Sequence, residues 1–188
     1  MTTPVIETAR LILRPPEIED FPRWAEFQAD PETNRFLGGV QPPPQTWRTL
    51  MAVIGQWAAT GEAMFSVIEK DSGLWMGRIG PLHPYGWPGT EVGWSLHPDA
   101  RGRGYAVEAA VASMDYAVDV LRWTDVIHCI APENLASARV AGRLGSVNRG
   151  PGRLPEPMQD ERIDLWGQTA DAWRENRKRF RAQATIGP

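Results

Sequence analysis

The fold is decided by residues 92–109, which read VGWSLHPDARGRGYAVEA. The opening residues, up to Leu96, alternate between apolar and small side chains, which is typical of a β-strand. Two glycines, Gly102 and Gly104, lie in the turn that follows. From Tyr105 onward, apolar residues recur at the spacing of one helix face. The segment therefore predicts a strand, a glycine-rich turn and a long helix in direct succession.

A turn of this kind is suited to binding phosphate oxygens. Glycines let backbone N–H groups point outward, and the helix that follows adds the positive end of its dipole. The dinucleotide motif G-x-G-x-x-G begins at Gly102 but has Val107 at its third glycine position. A P-loop requires a lysine, which this turn lacks. The third interpretation is a cradle for the pyrophosphate of coenzyme A.

Periodicity along the rest of the chain predicts a mixed α/β fold. Strands are predicted at Leu11–Arg14, 63–69, 74–82, 90–96, Asp125–Ile130, 146–150 and 162–168. Helices are predicted at 17–28, 31–36, 45–59, 105–121, Leu135–Leu144 and 171–181. The three strands between residues 63 and 96 are close enough in sequence to form an antiparallel meander. A strand–helix–strand–helix sequence follows them and completes the sheet.

Length and composition narrow the class of protein. The chain has 188 residues, of which 42% are hydrophobic, and this fits one domain spanning residues 1–188. A net charge of −3 argues against general nucleic-acid binding. No stretch approaches the roughly 18 consecutive apolar residues of a membrane helix. We therefore expect a cytoplasmic protein with no membrane partner.

Cysteine and histidine usage predicts no metal site. The one cysteine, Cys129, lies in an apolar run and is interpreted as a small buried hydrophobe rather than a catalytic thiol. The three histidines, His83, His97 and His128, are scattered and lack the spacing of metal ligands.

The motif Arg101-x-x-Gly104-x-Ala106 resembles the acetyl-CoA signature of the GNAT N-acetyltransferases. Other blocks match this family in the same order. Residues 7–14 resemble the first strand of its RimJ/RimL-like branch, 77–80 its third strand, 91–94 its fourth and 134–145 its second CoA-contacting helix. The resemblance covers about residues 7–168 and leaves 169–188 as a basic C-terminal helix or tail.

The resemblance implies a GNAT fold, in which a twisted, mostly antiparallel mixed sheet is flanked by helices and splayed between its fourth and fifth strands. It also implies transfer of an acetyl group from acetyl-CoA to a primary amine by direct attack in a ternary complex, without a metal. The acceptor would be a protein N-terminus or a small molecule, and homodimers are common among such enzymes.

The resemblance also implies which residues bind the co-substrate. The pyrophosphate would lie on the turn formed by Arg101, Gly102, Arg103, Gly104, Tyr105 and Ala106. The pantetheine arm would pair like an extra strand with Trp94, Ser95 and Leu96. Asn134 would hydrogen-bond that arm, and Ser137 lies one turn further along the helix. A backbone N–H at Trp94 or Ser95 would stabilise the developing oxyanion.

Three residues are candidates for proton transfer. Glu91 is the first candidate for the base, because burial beside the thioester would raise its pKa toward neutrality; its alternative role is a structural one. Glu156, in a loop before the last strand, is the second candidate. Ala141 replaces the tyrosine usual in the family, so either Ser137 protonates the leaving thiolate, directly or through water, or the thiolate leaves unaided. Ser146 likewise replaces an aromatic residue of the family.

Other functions stay open at this point. A module that senses acyl-CoA without catalysis would have the same binding residues. The basic segment 174–181 is either a solvated helix end or a contact for RNA or an acidic partner. The aromatic residue Trp87 and the tryptophans of the early helices, Trp24, Trp47 and Trp57, pack in the core or line an acceptor pocket.

Overall fold

The computed structural model describes residues 4–180. Within them, eight strands form one sheet: Ile6–Glu7 (β1), Leu11–Arg14 (β2), Phe65–Glu69 (β3), Trp75–Leu82 (β4), Glu91–Leu96 (β5), Asp125–Ile130 (β6), Val147–Gly152 (β7) and Ile163–Thr169 (β8). The α-helices are Phe21–Ala29 (α1), Pro31–Asn34 (α2), Pro43–Thr60 (α3), Tyr105–Asp115 (α4), Leu135–Leu144 (α5) and Ala170–Asn176 (α6).

The strand order is β1-β2-β3-β4-β5-β6-β8-β7, and every neighbouring pair is antiparallel except β5 and β6. Strands β4 and β5 pair continuously, from Gly77↔Leu96 to Leu82↔Glu91. In contrast, the parallel pair β5 and β6 meets only at Glu91↔Ile127. Strands β5 and β6 are the fourth and fifth of the predicted strands, because β1 was not among those predicted. The predicted mixed sheet and its splay between these two strands are therefore confirmed.

Helices cover the sheet with two apolar clusters. One cluster joins the inner side chains of β2 to β6 to helix α4 and includes Val92 and Met114. The other lies beneath α1 and α3 and includes Trp24, Phe27 and Trp75. Side chains of this size contribute about 1.5–3 kcal/mol each when fully buried. The clusters pack α4, and the pair α1 and α3, against the sheet.

Most predicted elements agree with the structure to within a few residues, and Asp125–Ile130 and Leu135–Leu144 agree at both ends. The predicted helix 105–121 changes character instead of continuing, because Tyr116–Val120 is a π-helical turn in which the Leu121 N–H donates to the Tyr116 carbonyl at 3.0 Å. The predicted helix 171–181 is interrupted at Arg177: α6 ends at Asn176, and residues 178–180 are helical again. Residue 181 lies outside the described residues. The two-residue strand β1 was not predicted, since so short a run has no periodicity.

Candidate functional site

A cavity of about 270 Å³ opens where β5 and β6 diverge. Its walls come from both strands, the start of α5, the loop after α2 and the loop before β8. Five of the predicted site residues line this cavity: Glu91, Trp94, Ser95, Asn134 and Ser137. The structure thus brings together side chains that lie more than 40 positions apart in the sequence.

Two side chains replace the main-chain bond at which the strands part. In a parallel ladder through Glu91↔Ile127, the next bond would join the Cys129 N–H to the Val92 carbonyl. Instead, the Cys129 N–H donates to Glu91 Oε1 at 3.1 Å, and His128 Nδ1 donates to the Val92 oxygen at 2.7 Å. The Cys129 N–H and the Val92 carbonyl are therefore satisfied while the strands remain apart.

The register of β5 determines which of its main-chain groups face the splay. The Ile127 N–H donates to the Thr90 carbonyl at 2.9 Å, so the even-numbered residues of this strand turn their main-chain groups toward β6. The odd-numbered ones turn toward β4, as the bond from the His97 N–H to the Met76 carbonyl shows. Of the two predicted oxyanion donors, the N–H of Trp94 faces the splay, and that of Ser95 faces β4.

Glu91 is a buried carboxylate with a donor on each oxygen. Its side chain is 5% exposed, and Trp87 Nε1 donates to Oε2 at 2.6 Å. Burial raises the pKa of Glu91, and the hydrogen bonds from Cys129 and Trp87 oppose that rise. Burial, with the Glu91 charge beside it, raises the pKa of the Cys129 thiol, which therefore stays protonated. No pattern in the sequence indicates the contact with Trp87, because this residue lies in a loop.

The glycine-rich turn leaves main-chain donors free for an anion. Gly102 and Gly104 have φ values of +72° and +81°, a conformation that favours glycine. Within the described residues, the N–H groups of Gly102, Arg103 and Gly104 make no hydrogen bond. The N–H of Arg101, in contrast, already donates to the Pro98 carbonyl at 3.1 Å. Of the main-chain N–H groups predicted to bind the pyrophosphate, that of Arg101 is therefore already occupied, and those of the residues that follow it are available.

Side chains anchor this turn to the sheet and to the early helices. Arg103 and the Tyr105 hydroxyl both donate to Glu69 at the end of β3. Hydrogen bonds, from Ser72 first and then Tyr105, lower the pKa of Glu69 to about 2. Arg101 pairs with Asp30 at 2.7 Å. The turn is therefore held at both ends by carboxylates that remain charged at neutral pH.

Residues 10–147 match the family model described as the acetyltransferase (GNAT) domain. The chain belongs to the GNAT family. A curated relative, the uncharacterized N-acetyltransferase YnaD of Bacillus subtilis (strain 168), is 28% identical over 146 residues, which cover 77% of this chain and 84% of that protein. The protein is therefore an acyltransferase, and the predicted membership of the GNAT family is confirmed.

Solved structures agree with this assignment. The acetyltransferase from Agrobacterium tumefaciens str. C58 superposes with a TM-score of 0.76 at 32% identity, over 89% of this chain and 95% of that one. The ribosomal-protein-S5-alanine acetyltransferase from Vibrio fischeri has a TM-score of 0.68 at 19% identity, over 90% of this chain and 98% of that one, and shows the shared fold.

The GNAT helix that follows β6 begins at Asn134 and presents Ser137 to the cavity. Asn134 Oδ1 accepts the Ser137 N–H at 3.1 Å, and this N-cap occupies the carbonyl side of its amide. Trp94 Nε1 donates to Ser137 Oγ at 3.3 Å. Ala141, which stands in place of the tyrosine of other GNAT enzymes, is fully buried. In this region of α5, Ser137 supplies the hydroxyl that reaches the cavity.

Ser146 belongs to a buried hydrogen-bond chain in this GNAT domain. Gln168 Nε2 donates to Ser146 Oγ at 3.0 Å, and Ser146 lies 2.9 Å from His128 Nε2. Since His128 Nδ1 donates to the Val92 carbonyl, Nε2 accepts from the serine. Burial lowers the pKa of His128 to about 4, and the neutral ring packs 4.6 Å from the ring of Trp94. The serine thus has a defined partner where the family has an aromatic side chain.

The second candidate base, Glu156, differs in position from Glu91, which lines the cavity. Glu156 is exposed and lies outside the cavity lining, whereas Glu161, further along the same loop, is part of it. Among the tryptophans of the early helices, Trp24 and Trp57 are buried in the core, whereas Trp47 is 38% exposed and does not line the cavity. Trp87, in the loop before β5, does line the cavity.

Residues 4–180 contain no group of three or more His, Cys, Asp or Glu side chains able to hold a metal ion. In the same part of the chain, no helix combines the length and apolar character needed to cross a membrane.

Proposed function

We propose that this GNAT enzyme transfers the acetyl group of acetyl-CoA to a primary amine in a ternary complex. The observation that carries the proposal is the buried Glu91 carboxylate in the wall of the splay, beside the main-chain N–H of Trp94. A base and an oxyanion donor at one site are what amine acylation requires. An acyl-CoA sensor would need the hydrogen bonds of Glu91 to Cys129 and Trp87 for its structure, but it would not need the carboxylate to accept a proton.

The residues present fit coenzyme A. The free N–H groups of the turn at Gly102, Arg103 and Gly104, followed by the start of α4, would hold the pyrophosphate. The open edge of β5 at Trp94 and Leu96 would pair with the pantetheine arm, and the amide NH₂ of Asn134 would donate to it. When bound, acetyl-CoA would supply the thioester whose acetyl group is transferred.

Glu91 and Ser137 would handle the protons. The acceptor ammonium gives a proton to Glu91, whose raised pKa suits a base at neutral pH. Trp94 Nε1 already donates to Ser137 Oγ, so the hydroxyl proton of the serine is free. As the C–N bond forms and the C–S bond breaks, Ser137 would give this proton to the leaving thiolate and take the second proton of the attacking amine in its place. The Trp94 N–H would donate to the acetyl oxygen. We assign no role in this scheme to Glu156, since it lies away from the cavity.

The acceptor is proposed to be a protein N-terminus or a small amine, as in the RimJ/RimL-like branch. Residues 7–14 resemble the first strand of that branch, and they form β1 and β2 of this fold. The Vibrio fischeri protein that shares the fold is named for a ribosomal-protein acceptor. Residues of the loops after α2 and before β8 line the cavity in which the acceptor would bind.

Release of free CoA thiol tests this function. The protein is mixed with acetyl-CoA and with peptides of different N-termini, polyamines, aminoglycosides and amino acids, and acetyl-CoA binding is measured in parallel by calorimetry. We expect thiol release that depends on one class of acceptor. Tight binding without release across the panel would favour the sensor, and absence of acetyl-CoA binding would contradict both functions.

A further inference from the structure

Arg78 places a partly buried guanidinium in the wall of the same cavity. Its guanidinium carbon lies over the rings of Trp24 and Phe27, 5.5 and 5.8 Å from their centroids. Its Nε atom is enclosed and has no hydrogen-bond partner. The two terminal nitrogens also make no hydrogen bond with the described residues and are not enclosed, so they face the cavity that Arg78 lines. Aromatic faces hold this cation in place without neutralising it.

The charge of Arg78 has no counter-ion in the part of the chain that the structure describes. No carboxylate of residues 4–180 lies within ion-pair distance of it, whereas Arg14 on the neighbouring region of the sheet pairs with Asp20 at 2.7 Å. Burial lowers the pKa of Arg78 to about 10, which leaves it a cation at neutral pH. An enclosed charge without a partner is costly, so its presence at a cavity wall points to an anionic ligand group.

The strand register relates Arg78 to the proposed base. Arg78 is opposite Ser95, and Glu91 is opposite Leu82, with the pair Gly80↔Gly93 between them. Residues two and four apart on a strand share a face, so Arg78 and Glu91 project from the same side of the β4–β5 ladder. Four residues along a strand span about 13 Å between Cα atoms. An acceptor between them would have its amine toward Glu91 and an anionic group toward Arg78.

We propose that Arg78 binds a carboxylate of the acceptor, so that the preferred acceptor is a primary amine that also carries a carboxylate. The proposal rests on the acetyl transfer proposed above and names its substrate class. A guanidinium forms two parallel hydrogen bonds with a carboxylate, which fixes the orientation of the ligand as well as its charge. The carboxylate comes from a free amino acid or from an acidic residue close to the N-terminus of a peptide.

Matched acceptor pairs test this proposal. Rates of CoA release are compared for amino acids and their carboxamides, and for peptides that differ only by Glu or Gln at the second position. The amine of a carboxamide has a lower pKa than the amine of the matching amino acid, so more of it is the reactive free base. A preference for the carboxylate member therefore cannot come from the reactivity of the amine. We expect kcat/KM to be at least about tenfold higher for the carboxylate member, the size expected for one charge-assisted contact. The pair with the larger ratio of kcat/KM values shows whether the carboxylate comes from a free amino acid or from an acidic residue close to a peptide N-terminus.

Variants at Arg78 separate recognition from folding. Arg78→Gln is expected to reduce kcat/KM for the carboxylate member at least about tenfold, through KM, and to leave the neutral member nearly unchanged. Arg78→Lys keeps the charge and should retain part of the preference. Acetyl-CoA binding by both variants, measured by calorimetry, should equal that of the wild type. If Arg78→Gln does not fold, the proposal is tested by the preference of the wild type for the carboxylate member and by the part of that preference that Arg78→Lys retains.

The outcomes against the proposal are distinct. Equal rates within each pair, a preference for the neutral member, or equal losses for both members in Arg78→Gln would overturn it. The proposal would also be overturned if protein that binds acetyl-CoA released no CoA with any of the carboxylate-bearing amines. Failure of the wild type to bind acetyl-CoA would instead contradict the proposed acetyl transfer itself.

Discussion

The Glu91 carboxylate on β5 accepts the backbone N–H of Cys129 on β6, with 3.1 Å between Oε1 and the nitrogen. This contact takes the place of a main-chain bond between the two strands, and it holds the carboxylate in the wall of the cavity. The group that helps to separate the strands is therefore the group that we propose as the base. Substitutions around it should affect turnover and local structure in separable ways.

Replacement of Glu91 by glutamine removes the proton acceptor while keeping the shape of the side chain. The amide oxygen still accepts the Cys129 N–H, whereas its NH₂ cannot accept from Trp87. We expect kcat to fall by about 10²-fold or more, the usual contribution of a general base. The control Glu19→Gln alters an exposed carboxylate away from the cavity and should leave kcat unchanged. Near wild-type turnover in Glu91→Gln would remove Glu91 from the mechanism.

The dependence of activity on pH should report the protonation of Glu91. The base acts only when deprotonated, so kcat/KM falls as the pH drops through its pKa, which burial raises above the usual range of glutamate. In Trp87→Phe the loss of an indole donor removes a contact that lowers this pKa. The acid limb of the profile should therefore shift to higher pH in this variant. An unshifted limb would show that another group controls it.

Glu69 and Tyr105 should affect binding of acetyl-CoA more than turnover. Tyr105→Phe removes one of the two contacts that anchor the glycine-rich turn to Glu69, and Glu69→Gln weakens both. One lost hydrogen bond to a charged group corresponds to about 1.5–3 kcal/mol, which sets an upper limit on the effect. We expect KM for acetyl-CoA to increase several-fold in both variants, more in Glu69→Gln, with kcat little changed. A fall in kcat alone would contradict an anchoring role.

His128 should make the folded state sensitive to mild acid. Burial lowers its pKa from 6.5 to about 4, so the unfolded chain binds a proton in this interval before the folded protein does. Stability attributable to His128 is complete above pH 6.5 and is lost as the pH falls toward 4, by about 3 kcal/mol in all. Denaturant titrations should show a shallower pH dependence in His128→Phe. Parallel curves for both proteins would refute this account.

The sequence predicted what is local and missed what joins distant segments. The turn at Gly102 and Gly104 and the helix cap at Asn134 depend on neighbouring residues, and both lie where their spacing predicted. The anchoring of the turn by Glu69 crosses more than 30 positions, and no short pattern encodes it.

The environment of individual side chains also could not be predicted from the sequence. The sequence shows Arg78 as one arginine among many, and only the packed structure reveals that it has no counter-ion among residues 4–180. Similarly, a loop carboxylate was expected near the acceptor at Glu156, whereas the path of that loop places Glu161 in the cavity wall. Loop conformation depends on packing that periodicity does not describe.

The most direct test of acetyl transfer is mass spectrometry of the acceptor after incubation with isotopically labelled acetyl-CoA. Wild-type protein and Glu91→Gln are compared, with acetyl-CoA binding measured for both by calorimetry. We predict a labelled acetyl group on the acceptor amine with the wild type, and its near absence with Glu91→Gln despite retained binding. Equal labelling by the two proteins, or binding without labelling by the wild type, would contradict a transferase that depends on Glu91.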